Sequence, residues 1–173
     1  MKLYGIDKQL TLLEEWLENW KSEQKKACIL HGPPGCGKTE SVYYIAEKKG
    51  YRVIEYNASD LRNREFMREL VVVATVKSFE PALILLDEAD GIEDYKTLRQ
   101  VLAKTKKPVI MTCNKIEKIP ESIRAMCVEI RYFRPHIGDV LKVVKEHVKA
   151  PTFDYSKVCV ADFRQARLIA LGS

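Results

Sequence analysis

The stretch Ala27-Cys-Ile-Leu-His-Gly-Pro-Pro-Gly-Cys-Gly-Lys-Thr39 (ACILHGPPGCGKT) decides the fold. Its first four residues form an apolar run of the kind that makes a buried strand. That run leads straight into a Gly/Pro-rich loop, and residues 38–49 return to helical character. Gly32–Thr39 matches the phosphate-loop pattern G-x-x-x-x-G-K-[ST], with Gly32, Gly37, Lys38 and Thr39 at the fixed positions. Pro33, Pro34, Gly35 and Cys36 fill the variable ones. The glycines let backbone N–H groups curl around phosphates, where a side chain would block the approach. The helix beginning near Lys38 turns its positive end toward the same anion. Lys38 is placed to reach the β- and γ-phosphates, and the Thr39 hydroxyl to ligate Mg²⁺. A strand on one side and a helix on the other is the context this motif requires, so ATP and Mg²⁺ are the expected ligands.

The complementary half lies downstream, at Ala82-Leu-Ile-Leu-Leu-Asp-Glu88. An apolar strand ending in Asp87 delivers that carboxylate to the C-terminal edge of a parallel sheet, beside the phosphate loop, where it can hold Mg²⁺ through water. Glu88, one residue on, is suited to orient and polarise an attacking water. Asp87-Glu-Ala-Asp90 also spells the name of a helicase family, but those enzymes need two tandem motor domains and 173 residues hold one. Val109–Asn114 is a second apolar strand, ending in an amide. Asn114 suits either a turn former or a hydrogen-bonding contact to the γ-phosphate or its water.

Outward from these motifs, strands and helices alternate. Residues 7–21 read as an amphipathic helix, with Leu10, Leu13, Leu17 and Trp20 at spacings of three and four, and with Gln9, Leu12 and Trp16 also read as core. Strands are expected at 51–56, 82–86, 109–113 and 128–132 besides 27–30. Helices are expected at 62–77 (Phe66, Leu70 and Val73 on one face) and 93–105. This pattern implies a parallel five-stranded α/β sheet covered on both sides by helices. After Arg134-Pro135 only helical patterns follow, at 137–149 and about 161–170. The expected division is an ATPase core at 1–134 and a short helical lid at 135–173.

Bulk properties narrow the classes. The chain is 46% hydrophobic and 31% charged, with net charge +5, ordinary for a globular domain and compatible with a polyanionic partner. No apolar run reaches the length of a membrane span and no secretory leader is seen, so a cytoplasmic location is expected, or a nuclear one in a eukaryote. Five dispersed cysteines without a CxxC pair suit reduced thiols rather than a zinc site.

Together these pieces resemble an AAA+ ATPase of the clamp-loader type, nearest to the large subunit of replication factor C. Leu13–Trp20 followed by Lys25–Gly35 is similar to that subunit's opening helix and phosphate loop. Tyr56-Asn-Ala-Ser-Asp-Leu-Arg62 and Asp87-Glu-Ala-Asp-Gly-Ile92 resemble its strand-to-helix segment and its Walker B region. The resemblance implies that Asn114 is sensor 1. It also implies that Asp162-Phe-Arg-Gln-Ala166 opens the sensor 2 helix, with Arg164 reaching the γ-phosphate from the lid. Small clamp-loader subunits carry Ser-Arg-Cys where this chain has Ala125-Met126-Cys127, so Met126 stands at the arginine-finger position. A hetero-oligomer, in which a partner supplies the finger, is therefore expected over a self-sufficient homo-oligomer. The collar domain of such subunits has no counterpart in these residues, which fits either a piece of a longer protein or a compact relative.

By the same resemblance, Arg62, Arg64 and Arg68, with Lys96 and Arg99, are candidates for tracking a DNA backbone without sequence preference. Glu65 and Glu69, interleaved with the arginines, equally suit a solvated helix face. The expected function is an ATPase that loads or remodels a sliding clamp or another replication protein on DNA. The alternative is a nucleotide-binding assembly subunit with little hydrolysis of its own. A small-molecule kinase is disfavoured, because Glu88 directly after Asp87 suits water activation.

Overall fold

Five short β-prone segments alternate with amphipathic helices, and a parallel sheet with helices on each face buries both. The computed structural model describes residues 5–21, 25–57 and 64–147. Its elements, in chain order, are α1 (Asp7–Asn19), β1 (Ala27–His31), α2 (Lys38–Lys49), β2 (Arg52–Asn57), α3 (Arg64–Thr75), β3 (Ala82–Asp87), α4 (Tyr95–Lys104), β4 (Val109–Cys113), α5 (Glu121–Arg124), β5 (Cys127–Arg131) and α6 (Ile137–His147). The strands form one five-stranded sheet in the order β2-β3-β4-β1-β5, and each neighbouring pair is parallel. Each expected strand is present to within a residue or two at its ends. Among the described residues no helix is long and apolar enough to cross a membrane.

The period-2 alternation of side chains sorts the sheet into two cores. Ala27, Ile29, Ile84, Leu86, Val109 and Met111 face the helices α3 and α4, which contribute Met67, Leu70, Leu98 and Val101. Cys28, Leu30, Leu83, Leu85 and Ile110 face the other way, toward α1 and α2, which contribute Leu13, Trp16, Val42 and Ile45. Strands buried on both faces read as unbroken apolar runs, the pattern seen at 82–86 and 109–113.

Two expectations about helix faces need correction. In α3 the inward residues are Met67, Leu70 and Ala74, while Phe66 is 40% exposed. At about 100° per residue, Leu70, Ala74 and Met67 fall within about 60° of one another, and a face centred between them leaves Phe66 about 70° to one side. In α1, Gln9 and Trp16 are buried as expected, but Leu12 is 43% exposed. Gln9 is satisfied there because its side-chain amide donates to the Arg131 carbonyl at 3.1 Å.

The entry to β4 is fixed by a buried lysine. Lys107 is 5% exposed, and its ammonium donates to the carbonyls of Val73, at 2.6 Å, and Val76 at the C-terminal end of α3. Those carbonyls are orphaned by the helix end and carry its partial negative charge. Replacing this cation with a neutral chain, as in Lys107→Met, removes both bonds. It is expected to cost about 1–3 kcal/mol, read as a lower urea midpoint with an unchanged m-value.

Candidate functional site

Parallel strands end together, so the last residues of β1, β4 and β3 emerge at one edge of the sheet. The register aligns His31 with Cys113 across β1 and β4, and Leu86 with Met111 across β4 and β3. The phosphate loop therefore leaves β1 beside Asn114, and Asn114 lies between that loop and the Asp87-Glu88 pair.

Backbone shape makes the loop. Gly32 cannot carry a side chain: an added Cβ would run into the backbone carbonyl of Tyr132, just beyond β5. The close approach is held by Gly32 N–H to the Cys113 carbonyl at 3.3 Å and Tyr132 N–H to the His31 carbonyl at 2.7 Å. Gly35 (φ 70°) and Gly37 (φ 91°) take left-handed conformations, and Gly37 is the residue from which α2 starts. Pro33 is half-buried and Pro34 exposed. Cys36 is fully buried in the α1/α2 core, so it can offer a ligand its backbone only, and burial pushes its thiol up from the ordinary value.

Lys38 is 8% exposed, and its ammonium is saturated. It donates to the carbonyls of Gly32 and Pro33, both at 2.8 Å, and to Asn114 Oδ1 at 3.0 Å. A buried ammonium so supported places a full positive charge inside the loop. The contact to Asn114 spans 76 positions of sequence and sets that amide beside the phosphate loop.

On the other side Thr39 Oγ1 donates to Asp87 Oδ1 at 2.9 Å. A hydroxyl and a carboxylate in contact are a hard-oxygen donor set of the kind Mg²⁺ takes together with nucleotide phosphates. Among the described residues no group of three or more His, Cys, Asp or Glu could hold a metal by itself. The glycine cradle and this oxygen pair fit Mg²⁺·ATP.

Glu88 is exposed and has φ 56° and ψ 41°, the one positive φ outside glycine among the described residues. For a residue with a Cβ this conformation costs of order 1–3 kcal/mol. Its N–H donates to Thr112 Oγ1 at 3.1 Å, and its carbonyl accepts from Gly91 N–H at 2.9 Å. Thr112 also donates to Asp87 Oδ1 at 2.5 Å. This threonine was not singled out from the sequence. The available signal was a lone hydroxyl in the otherwise apolar strand Val109–Cys113, two residues before Asn114 and hence on the same face.

The remaining candidates are not gathered here. Arg64 and Arg68 lie on the exposed side of α3, and Lys96 and Arg99 on that of α4. Arg62 and Arg164 lie outside the described residues. Met126 packs partly buried against the α3/α4 core. Arg124 is held by Glu129 through two bonds, Nε to Oε1 at 2.9 Å and the second nitrogen to Oε2 at 3.2 Å.

The family model of the ATPases associated with various cellular activities (AAA) matches residues 28–135, the span from β1 to just past β5. The chain belongs to the AAA ATPase family. Within it, the chain is similar to proteins named replication factor C large subunit from three archaea. It is 34% identical over 164 residues to the one from Thermococcus kodakarensis, covering 90% of this chain and 33% of that protein. For Methanococcus maripaludis the identity is 41% over 124 residues, 66% of this chain and 26% of that protein. For Thermofilum pendens it is 33% over 143 residues, 75% and 35%. The chain thus spans between about a quarter and about a third of the length of these curated relatives.

Two outcomes follow from this geometry. Gly32→Ala drives a methyl group into the Tyr132 backbone and is expected to cost about 1–3 kcal/mol of stability while weakening nucleotide affinity, read by denaturant and fluorescent-nucleotide titrations. His31, at the mouth of the loop, has its imidazole lowered from 6.5, chiefly by burial, with Arg131, Arg124 and Lys38 acting in the same direction and Glu129 against. A depressed folded value means the folded state binds fewer protons than the unfolded one. Stability is therefore full above 6.5 and falls as pH drops below it toward the folded value. His31→Gln is expected to flatten that part of the stability–pH curve.

Proposed function

We propose that this AAA ATPase chain binds Mg²⁺·ATP and hydrolyses it as the ATPase part of a clamp-loader-like subunit acting in DNA replication. The observation that carries this reading is the convergence of Lys38, Thr39, Asp87, Glu88 and Asn114 at one edge of the sheet. The name shared by its relatives, replication factor C large subunit, supplies the process.

In this reading the phosphate-loop amides and Lys38 bind the β- and γ-phosphates, and Thr39 and Asp87 hold the metal. Bound Mg²⁺ supplies charge neutralisation of the phosphates. The Glu88 carboxylate orients the attacking water and takes its proton, the γ-phosphorus–oxygen bond to the β-phosphate breaks, and ADP and phosphate leave. Asn114 donates its amide to the γ-phosphate or the water. Residues 135–173 act as a lid carrying Arg164 as a second sensor. A partner subunit, in a hetero-oligomer with a sliding clamp and DNA, supplies the arginine finger. Arg62, Arg64, Arg68, Lys96 and Arg99 are the proposed cations for the DNA backbone.

A second reading, a nucleotide-binding assembly subunit with little turnover, is favoured by Met126 at the finger position and by the engagement of Arg124 with Glu129. ATP turnover with and without primed DNA and partner subunits separates the two. Lys38→Ala is expected to weaken ATP binding at least tenfold, consistent with losing a charge-assisted contact. Glu88→Gln is expected to leave binding within about twofold and to lower turnover by about 100-fold or more. Unchanged affinity in the first variant overturns the site, and unchanged turnover in the second overturns the mechanism.

A further inference from the structure

Thr112 is an alcohol in the middle of a sheet. It is 2% exposed, in a strand whose other members are Val109, Ile110, Met111 and Cys113, all buried. A hydroxyl has one proton to give, and here its use is fixed by its partners. The hydroxyl donates to Asp87 Oδ1, at 2.5 Å. The backbone N–H of Glu88 can only donate, so it points at a Thr112 lone pair, at 3.1 Å. One side chain therefore grips the first carboxylate residue by its head and the second by its backbone.

The grip on Asp87 is shared. Thr39 Oγ1 and Thr112 Oγ1 both donate to Oδ1, from opposite sources: Thr39 from the first turn of α2, Thr112 from β4. Two donors on one oxygen fix the carboxylate plane. Oδ2 carries neither of these bonds. The grip on Glu88 acts where it is most needed, on the left-handed residue whose carbonyl accepts from Gly91 N–H. Relaxing that φ would swing the Cα–Cβ bond of Glu88 to a new direction, and with it the carboxylate that the proposed mechanism aims at water.

We propose that Thr112 is a positioning residue for the Asp87-Glu88 pair, and that its hydroxyl couples metal binding to the setting of Glu88. Its hydroxyl acts through the Asp87 carboxylate and the Glu88 backbone. The inference rests on the Mg²⁺·ATP reading above and names the device that sets its two carboxylates. When Asp87 takes up the cation, a χ1 turn that carries the Thr112 oxygen away from Asp87 also releases the Glu88 amide. Thr39 lacks this second connection.

The test compares Thr112→Val, which keeps the shape and removes the hydroxyl, with Thr112→Ser, which keeps the hydroxyl. Affinity for a fluorescent ATP analogue is measured in excess Mg²⁺ and in EDTA, alongside thermal melting of each variant. The expected result is that Thr112→Val loses about tenfold or more of the tightening that Mg²⁺ confers, with EDTA affinity within about twofold of the unsubstituted chain. Thr112→Ser should keep that tightening. A simply structural role would weaken binding equally in both media and would overturn the proposal, as would full Mg²⁺ tightening in Thr112→Val. Should Thr112→Val fail to fold, Thr112→Cys replaces it, since a thiol is a weak donor of serine-like size. Equal Mg²⁺ tightening in the Cys and Ser variants overturns the proposal. Absence of Mg²⁺ tightening in the unsubstituted chain overturns the nucleotide reading itself, an outcome visible before any variant is compared.

Discussion

The parallel ladder between β1, β4 and β3 is the constraint on which the site depends. Its hydrogen bonds hold three strand ends in register, so that a glycine loop, an amide and a carboxylate pair arrive at one edge from three distant parts of the chain. A slip of one residue in β4 would turn Thr112 and Asn114 to the other face and replace them with Met111 and Cys113. The apolar cores on both faces resist that slip, because it would exchange their entire membership. Burial of side chains that never touch a ligand thereby sets the accuracy of those that do.

Lys38, Asp87 and Lys107 are each answered by polar partners. Lys38 is met by two loop carbonyls and an amide oxygen, Asp87 by two hydroxyls, and Lys107, at the far end of β4, by the end of α3. The one backbone strain in the site, at Glu88, sits where the chain turns from β3 into the 3-10 turn Ala89–Gly91. Strain at such a point is tolerated because hydrogen bonds on both sides of the residue over-determine its conformation.

The AAA relatives extend well beyond the region matched here. Near the end of that region Arg124 is tied to Glu129, and Met126 is drawn toward the core.

The phosphate loop, the Asp87-Glu88 pair, the number of strands and their parallel sense were legible in the sequence because each rests on local chemistry. Glycines are required where a Cβ would clash, and unbroken apolar runs are required where a strand is buried twice. Strand order was not legible. That β4 lies between β1 and β3 is a result of long-range pairing, and it alone brings Asn114 to Lys38. The inward face of α3 also escaped, since Phe66 and Met67 are both apolar and only packing against the sheet chooses between them. Thr112 is the clearest case: in sequence it is one hydroxyl in an apolar strand. Its bonds to Asp87 and Glu88 cross 25 and 24 positions and exist only because the sheet sets those strands side by side. The sequence by itself determined which chemical groups are present and which local turns they demand. The tertiary structure decided which of them meet, because hydrogen bonds of 2.5–3.1 Å require neighbours that only the folded sheet supplies.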